Sequence, residues 1–325
     1  MLILPACGGN TANTAEDGTV YIGLVTDVGG INDKSFNQTA YEGLMELCRE
    51  DPSYDIKYLE SHLDADYQAN VNIFIDEGAD LIICCGYMFA DTIREAALAH
   101  PEQKFAIIDD ASNDDLPNVA CLMFSQEQAG YLAGLAAGYM TKTKTVGYVQ
   151  GMVSEVMNCF GTGYVTGVLS ACPDARIIEY NSNSFTDIAG GAAAAKSMVT
   201  NGADVIFHAA GNTGVGVINT CGEENIWAIG VDTDQSSLDP AHVLTSAMKC
   251  VDVAARDISE SVKEGTFTGG VHKYDLSNGG VGLAPTRDNL PEDILAKISA
   301  AEEKILEGAV DIPVKAEDCP AFTLK

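Results

Sequence analysis

Basic residues are scarce in this chain: 18 Lys and Arg stand against 47 Asp and Glu among 325 residues, a formal net charge of −29. A surface of that sign repels polyanions, which excludes nucleic acid and anionic membrane faces as partners. Long apolar runs are missing too. No stretch offers 18 uninterrupted apolar residues, so no membrane-spanning helix is expected. The ten cysteines form no Cys-x-x-Cys pair, and His62, His100, His208, His242 and His272 are scattered. That leaves no zinc spacing, and neither metal nor cofactor is expected. Ser35 lies in no Gly-x-Ser-x-Gly elbow, which removes the usual signature of a serine hydrolase.

What is present is a packed globular composition, 46% hydrophobic and 20% charged, over a length that suits two domains of roughly 150 residues each. An internal repeat supports this division. Gly23 returns 124 positions later as Gly147, Phe36 as Phe160, Gly43 as Gly167, and Gly78-Ala79-Asp80 as Gly202-Ala203-Asp204. Val- and Ile-rich runs alternate with segments of helical period in both halves, the pattern of βα units and a parallel sheet. Asp64 and Asp187 precede helical segments as expected N-caps. Cysteines such as Cys84 and Cys85 fall inside strand-like runs and are expected to be free buried thiols. Two α/β lobes facing each other across a crevice follow, and the tail after Lys249 has to pack on both, so several crossings between lobes are expected. Residues 1–18 form a leader and linker. Residues 19–125 with about 249–276 are assigned to lobe 1, and 126–248 with about 281–325 to lobe 2.

In a parallel sheet, ligand contacts come from the carboxyl ends of strands. The residues ending these strands are polar or glycine: Thr26-Asp27 running into Gly29–Ser35 with Lys34, then Gly86, Asp109, Gly211, Asp232 and Lys249. Phe36 and Phe160, equivalent by the repeat, are placed to reach one ligand from opposite sides. Gly211–Gly216 opens a helix as a phosphate loop would, but it lacks the Gly-Lys-Ser/Thr ending. Asp27 and Asp109 leave a nucleoside-cleaving enzyme as an alternative from another class.

At the amino terminus, Leu4-Pro5-Ala6-Cys7 looks like the lipobox of a bacterial lipoprotein, with Cys7 the expected lipidated residue. The basic and apolar regions of a complete signal peptide do not fit into the six residues before it. Membrane attachment is therefore expected only through acyl chains.

Val25–Asn37, Phe105–Asp109, Gly202–Phe207, Ile229–Gln235 and Leu244–Lys249 resemble the basic membrane protein (Bmp) family, substrate-binding lipoproteins of ABC transporters that include purine nucleoside receptors. The similarity covers residues 19 to 310. The resemblance implies a type I periplasmic-binding-protein fold of two doubly wound parallel-sheet lobes joined by a multi-crossover hinge. It also implies an extracytoplasmic, membrane-anchored, non-enzymatic monomer that delivers a purine nucleoside to an ABC permease; a simple sugar or other small metabolite is the nearer alternative. On that reading Phe36 stacks on the base, with Phe160, Phe207 or Phe185 as the second face. Asn37 and Asp109 meet the base edge, Asp232 and Lys249 the ribose, and Gly211 lets backbone approach the sugar.

Overall fold

The computed structural model describes residues 18–324. Cys7 and its lipobox therefore lie outside the described residues. The first half runs β1 (Val20–Val25), α1 (Phe36–Glu50), β2 (Tyr54–Leu59), α2 (Tyr67–Glu77), β3 (Leu81–Cys85), α3 (Ala90–Ala99), β4 (Lys104–Ile108) and β5 (Val119–Phe124). The second half runs α4 (Gln126–Met140), β6 (Thr145–Gln150), α5 (Glu155–Ala171), β7 (Arg176–Asn181), α6 (Ile188–Thr200), β8 (Val205–Ala209), α7 (Asn212–Glu223), β9 (Trp227–Asp232) and β10 (Val243–Lys249). The tail supplies α8 (Val251–Glu264), β11 (Gly270–Tyr274), β12 (Val281–Leu283) and α9 (Glu292–Leu306).

Strands β1 and β3 are apolar along their length, and β4 is so after Lys104, because helices cover both faces of their sheet. The strand order is β2-β1-β3-β4-β5-β11 in lobe 1 and β7-β6-β8-β9-β10-β12 in lobe 2. All neighbours are parallel except β12, which runs antiparallel to β10. In both sheets the order reverses beside the first strand, so the crevice opens after β1 and β3 in one lobe and after β6 and β8 in the other.

The repeat is visible in the packing. Gly23 makes room for Phe74, and Gly147 makes room for Met198; a Cβ at either glycine would lie 2.5 Å from that side chain. Asp80 N–H donates to the Tyr21 carbonyl at 2.8 Å, and Asp204 N–H to the Thr145 carbonyl at 3.1 Å.

The chain passes between lobes three times: at Ser125, at Cys250 and between Tyr274 and Val281. Ser125 N–H donates to the Tyr274 carbonyl at 2.8 Å and Cys250 N–H to the Gly280 carbonyl at 2.9 Å, which ties the first two crossings to the third. As a result the helices following the crossings change lobes. Helix α4 packs on α5, and α8 packs on α1. Each contact uses a glycine of the repeat. A Cβ on Gly43 would lie 2.6 Å from the Asp252 Cα, and one on Gly167 would collide with the Tyr131 carbonyl oxygen. Helix α4 is buried on nearly every side, as the apolar, glycine-rich sequence that follows its first turn requires.

Asp187 caps α6 by accepting from Gly190 N–H at 2.8 Å. Asp64 does not cap α2: it opens a short 3₁₀ turn, and Asp66 turns back to accept from the amides of His62 at 2.9 Å and Leu63 at 3.0 Å. The nine cysteines among the described residues are free. No described helix is long and apolar enough to cross a membrane.

Candidate functional site

The two switch points face each other across a shared cavity. Of the residues nominated by sequence, Asp27, Phe36, Asn37, Gly86 and Asp109 line it from lobe 1. Phe160, Gly211, Asp232 and Lys249 line it from the other side.

Lys34 and Phe207 do not line it. The Lys34 side chain is exposed to solvent. Phe207 lies two residues before the end of β8, one layer too deep, where its ring stacks on Tyr148 at 5.4 Å and meets Phe160 edge-on at 6.2 Å. Phe160 itself lines the cavity but is fully buried.

On the lobe 2 side, the aromatic that reaches the cavity with part of its surface free is Phe185, in the loop between β7 and α6. Glycine makes room for it, since a Cβ on Gly151 would run into the Phe185 ring. Gly151 stands where the repeat puts the counterpart of Asp27. Sequence offered Phe185 only as one of several candidates, because loop aromatics have no periodicity to orient them.

Asn37 has a different task from the one expected. Its Nδ2 donates to Asp27 Oδ1 at 2.7 Å and to Asp33 Oδ2 at 2.8 Å, and its Oδ1 accepts from Asp27 N–H at 3.2 Å. Both amide protons are taken, so Asn37 aims Asp27 rather than donating to a ligand. Asp33 in turn accepts from the amides of Ser35, Asn37 and Gln38 at the start of α1. It caps that helix.

Four carboxylates converge here. Asp27 accepts from Gly29 N–H at 2.8 Å through Oδ1, and no described residue donates to its Oδ2, which faces Gly86. Burial pushes the Asp27 carboxyl up to about 6 against the lowering effect of the Gly29 and Asn37 donors. Asp232 is likewise pushed up to about 6 by burial, which the Lys249 charge and the Ser35 hydroxyl oppose. Ser35 Oγ donates to Asp232 Oδ2. Asp109 ion-pairs with Lys249 through Oδ2, while its buried Oδ1 has no partner. Lys249 is 1% exposed and also lies over the rings of Phe36, at 4.9 Å, and Phe124, at 5.1 Å.

Asp109 and Asp232 end equivalent strands, β4 and β9, and both adopt the left-handed backbone region, with φ of 71° and 65°. Aspartate tolerates that region better than branched residues, and the turn it makes points each carboxylate into the cleft. The N-terminus of α7 is not a phosphate cradle: Thr213 N–H donates to the Phe185 carbonyl at 3.2 Å and Gly214 N–H to the Gly211 carbonyl at 2.9 Å. Four carboxylates with one ammonium suit an uncharged, donor-rich ligand and oppose an anionic one.

Residues 21–316 match a family model described as "ABC transporter substrate-binding protein PnrA-like", the Bmp family. The chain belongs to the Bmp family. The "CD4+ T-cell-stimulating antigen" of Listeria monocytogenes is 37% identical over 97% of this chain and 95% of its own length. An "ABC transporter nucleoside-binding protein" of Lactococcus lactis subsp. cremoris is 34% identical over 90% and 88%. The crystal structure of an ABC transporter solute-binding protein from Aeropyrum pernix superposes with a TM-score of 0.84 at 25% identity, covering 91% of this chain and 94% of that one. The two parallel-dominated lobes therefore form the type I periplasmic-binding-protein fold. A Bmp-family chain is the substrate-binding component of an ABC transporter, extracytoplasmic and membrane-associated, with a small ligand and a permease as its partners.

Proposed function

We propose that this Bmp-family protein captures a purine nucleoside between its lobes and hands it unchanged to its permease. The observation that carries this reading is a cavity lined by Phe36 from one lobe and Phe185 from the other, together with carboxylate oxygens that lack donors among the described residues, Asp27 Oδ2 and Asp109 Oδ1. A purine supplies two flat apolar faces and N–H donors at its edge. A ribose supplies the hydroxyl donors for Asp232. Phosphorylated nucleotides fit poorly, because their charge would meet four carboxylates. The name of the Lactococcus relative supports the ligand class.

Relatives described as substrate-binding and nucleoside-binding proteins support a role of binding without catalysis. The protein acts as a monomer, anchored through lipidated Cys7. The test is mass spectrometry of small molecules released from the purified protein, followed by calorimetry with purine nucleosides, matched nucleotides and simple sugars. A purine nucleoside in the released fraction and a nucleotide without measurable heat are expected. Selective binding of a sugar overturns the reading, and free base accumulating beyond stoichiometry establishes an enzyme in its place.

A further inference from the structure

Behind the ligand cavity, and lining none of it, one side chain bridges the lobes. Gln235, 2% exposed, follows β9 in lobe 2. Its Oε1 accepts from Val231 N–H at 2.9 Å, and its Nε2 donates to the Lys34 carbonyl of lobe 1 at 2.8 Å. A backbone donor and a backbone acceptor fix the orientation of the amide without ambiguity.

His208 lies against the same Oε1, with Nε2 at 3.0 Å. Since Oε1 can only accept, His208 Nε2 carries the proton and Nδ1 is the bare nitrogen, which has no partner. Burial holds the ring neutral by lowering its value to about 4.

The surroundings are cut to fit the pair. A Cβ on Gly230 would lie 2.6 Å from Gln235 Oε1, and one on Gly214 would collide with His208. Ser246 Oγ accepts from Gln235 N–H at 3.1 Å. On the lobe 1 side, Lys34 has φ 58°, and the next residue, Ser35, makes the Oγ bond to Asp232. Three bonds therefore hold Gln235 inside lobe 2, and one reaches across.

We propose that Gln235, positioned by His208, is a clasp that stabilises the closed form whether or not ligand is present, and so sets ligand affinity without touching the ligand. This rests on lobe closure as the binding step. Glutamine is the residue that fits: a carboxylate at this position keeps both acceptor bonds inside lobe 2 but sets an oxygen against the Lys34 carbonyl.

The test compares wild type, Gln235→Ala and Gln235→Glu at pH 8, each checked for folding by circular dichroism. Small-angle scattering of the ligand-free proteins reads the population of the closed form. Both variants are expected to shift toward a larger radius of gyration. Affinity for guanosine and for its deoxy analogue should fall by the same factor, about threefold to tenfold for one lost net hydrogen bond. If Gln235→Ala fails to fold, Gln235→Glu decides, because its bonds inside lobe 2 remain. Ligand-free profiles that superimpose on wild type, or a wild type already fully open, overturn the clasp. So does an affinity loss that differs between the two ligands, which would make Gln235 a ligand contact. If no nucleoside binds wild type, the nucleoside assignment fails while the scattering still judges the clasp.

Discussion

Replacing Asp27 by Asn separates the stability of the cleft from its affinity. Asn keeps an oxygen for the Gly29 amide and for Asn37 Nδ2, and puts an NH2 where Oδ2 faces the cavity. Burial lifts the carboxyl to about 6 in the folded protein, against 3.8 for an unperturbed aspartate. Folding thus favours its protonated form: this contribution to stability is fully present below pH 3.8 and is lost as pH rises through 6. A displacement of that size corresponds to about 3 kcal/mol of destabilisation at pH 8 from the ionised group. Asp27→Asn removes the ionisation, so the ligand-free variant should melt several degrees above wild type at pH 8, with the gap closing as pH falls toward 4. Its affinity for guanosine should drop by about 1.5–3 kcal/mol, because an acceptor for a ligand donor is gone. Thermal denaturation across pH and calorimetry at pH 8 measure the two effects. An unchanged or lower melting point at pH 8, or an offset that ignores pH, refutes the argument.

Phe36→Ala should weaken nucleoside binding by about 1–3 kcal/mol with the fold intact, as calorimetry and circular dichroism would show; Phe185→Ala should do the same, whereas equal affinity would remove that ring from the slot. Asp232→Ala should cost guanosine about 1.5–3 kcal/mol and its deoxy analogue less, if the carboxylate accepts from the ribose diol; parallel losses in a two-ligand cycle would leave Asp232 a structural residue. Gly134→Val forces a side chain into the Tyr164 carbonyl of α5 and should destabilise the protein by about 1–3 kcal/mol or more in denaturant titration, with no selective effect on ligand.

The sheets and the ring of strand-end residues were readable because parallel sheets put function at one edge, so Asp27, Asp109 and Asp232 could be named from their places after apolar runs. The repeat pointed to Phe160 by symmetry, yet its pseudo-equivalence with Phe36 stops at the backbone. Phe36 starts its helix beside the cleft, whereas Phe160 lies inside α5, packed under Phe207. Asn37 was misjudged because residue type reveals capacity for hydrogen bonds and not which of them are already made. Phe185, and the pairing of His208 with Gln235, depend on loops and on contacts between distant segments, for which a single sequence carries no period.

The traded helices bear on how the chain is made. Lobe 1 has its five strands in place once Phe124 is synthesised, but α8, which covers Gly43, and its sixth strand, β11, come only from residues 251–274. Lobe 2 starts with α4 and waits for β12 and α9. Neither lobe is a unit that vectorial synthesis can finish before the other begins. A ribosome or an export channel releasing the chain from its amino end therefore presents an uncovered flank of α1 for more than a hundred residues. A chain cut after Lys249 should leave both lobes incomplete, the first without α8 and β11 and the second without β12 and α9, and because the segments of the two lobes alternate along the chain, no circular permutant gives either lobe a continuous piece.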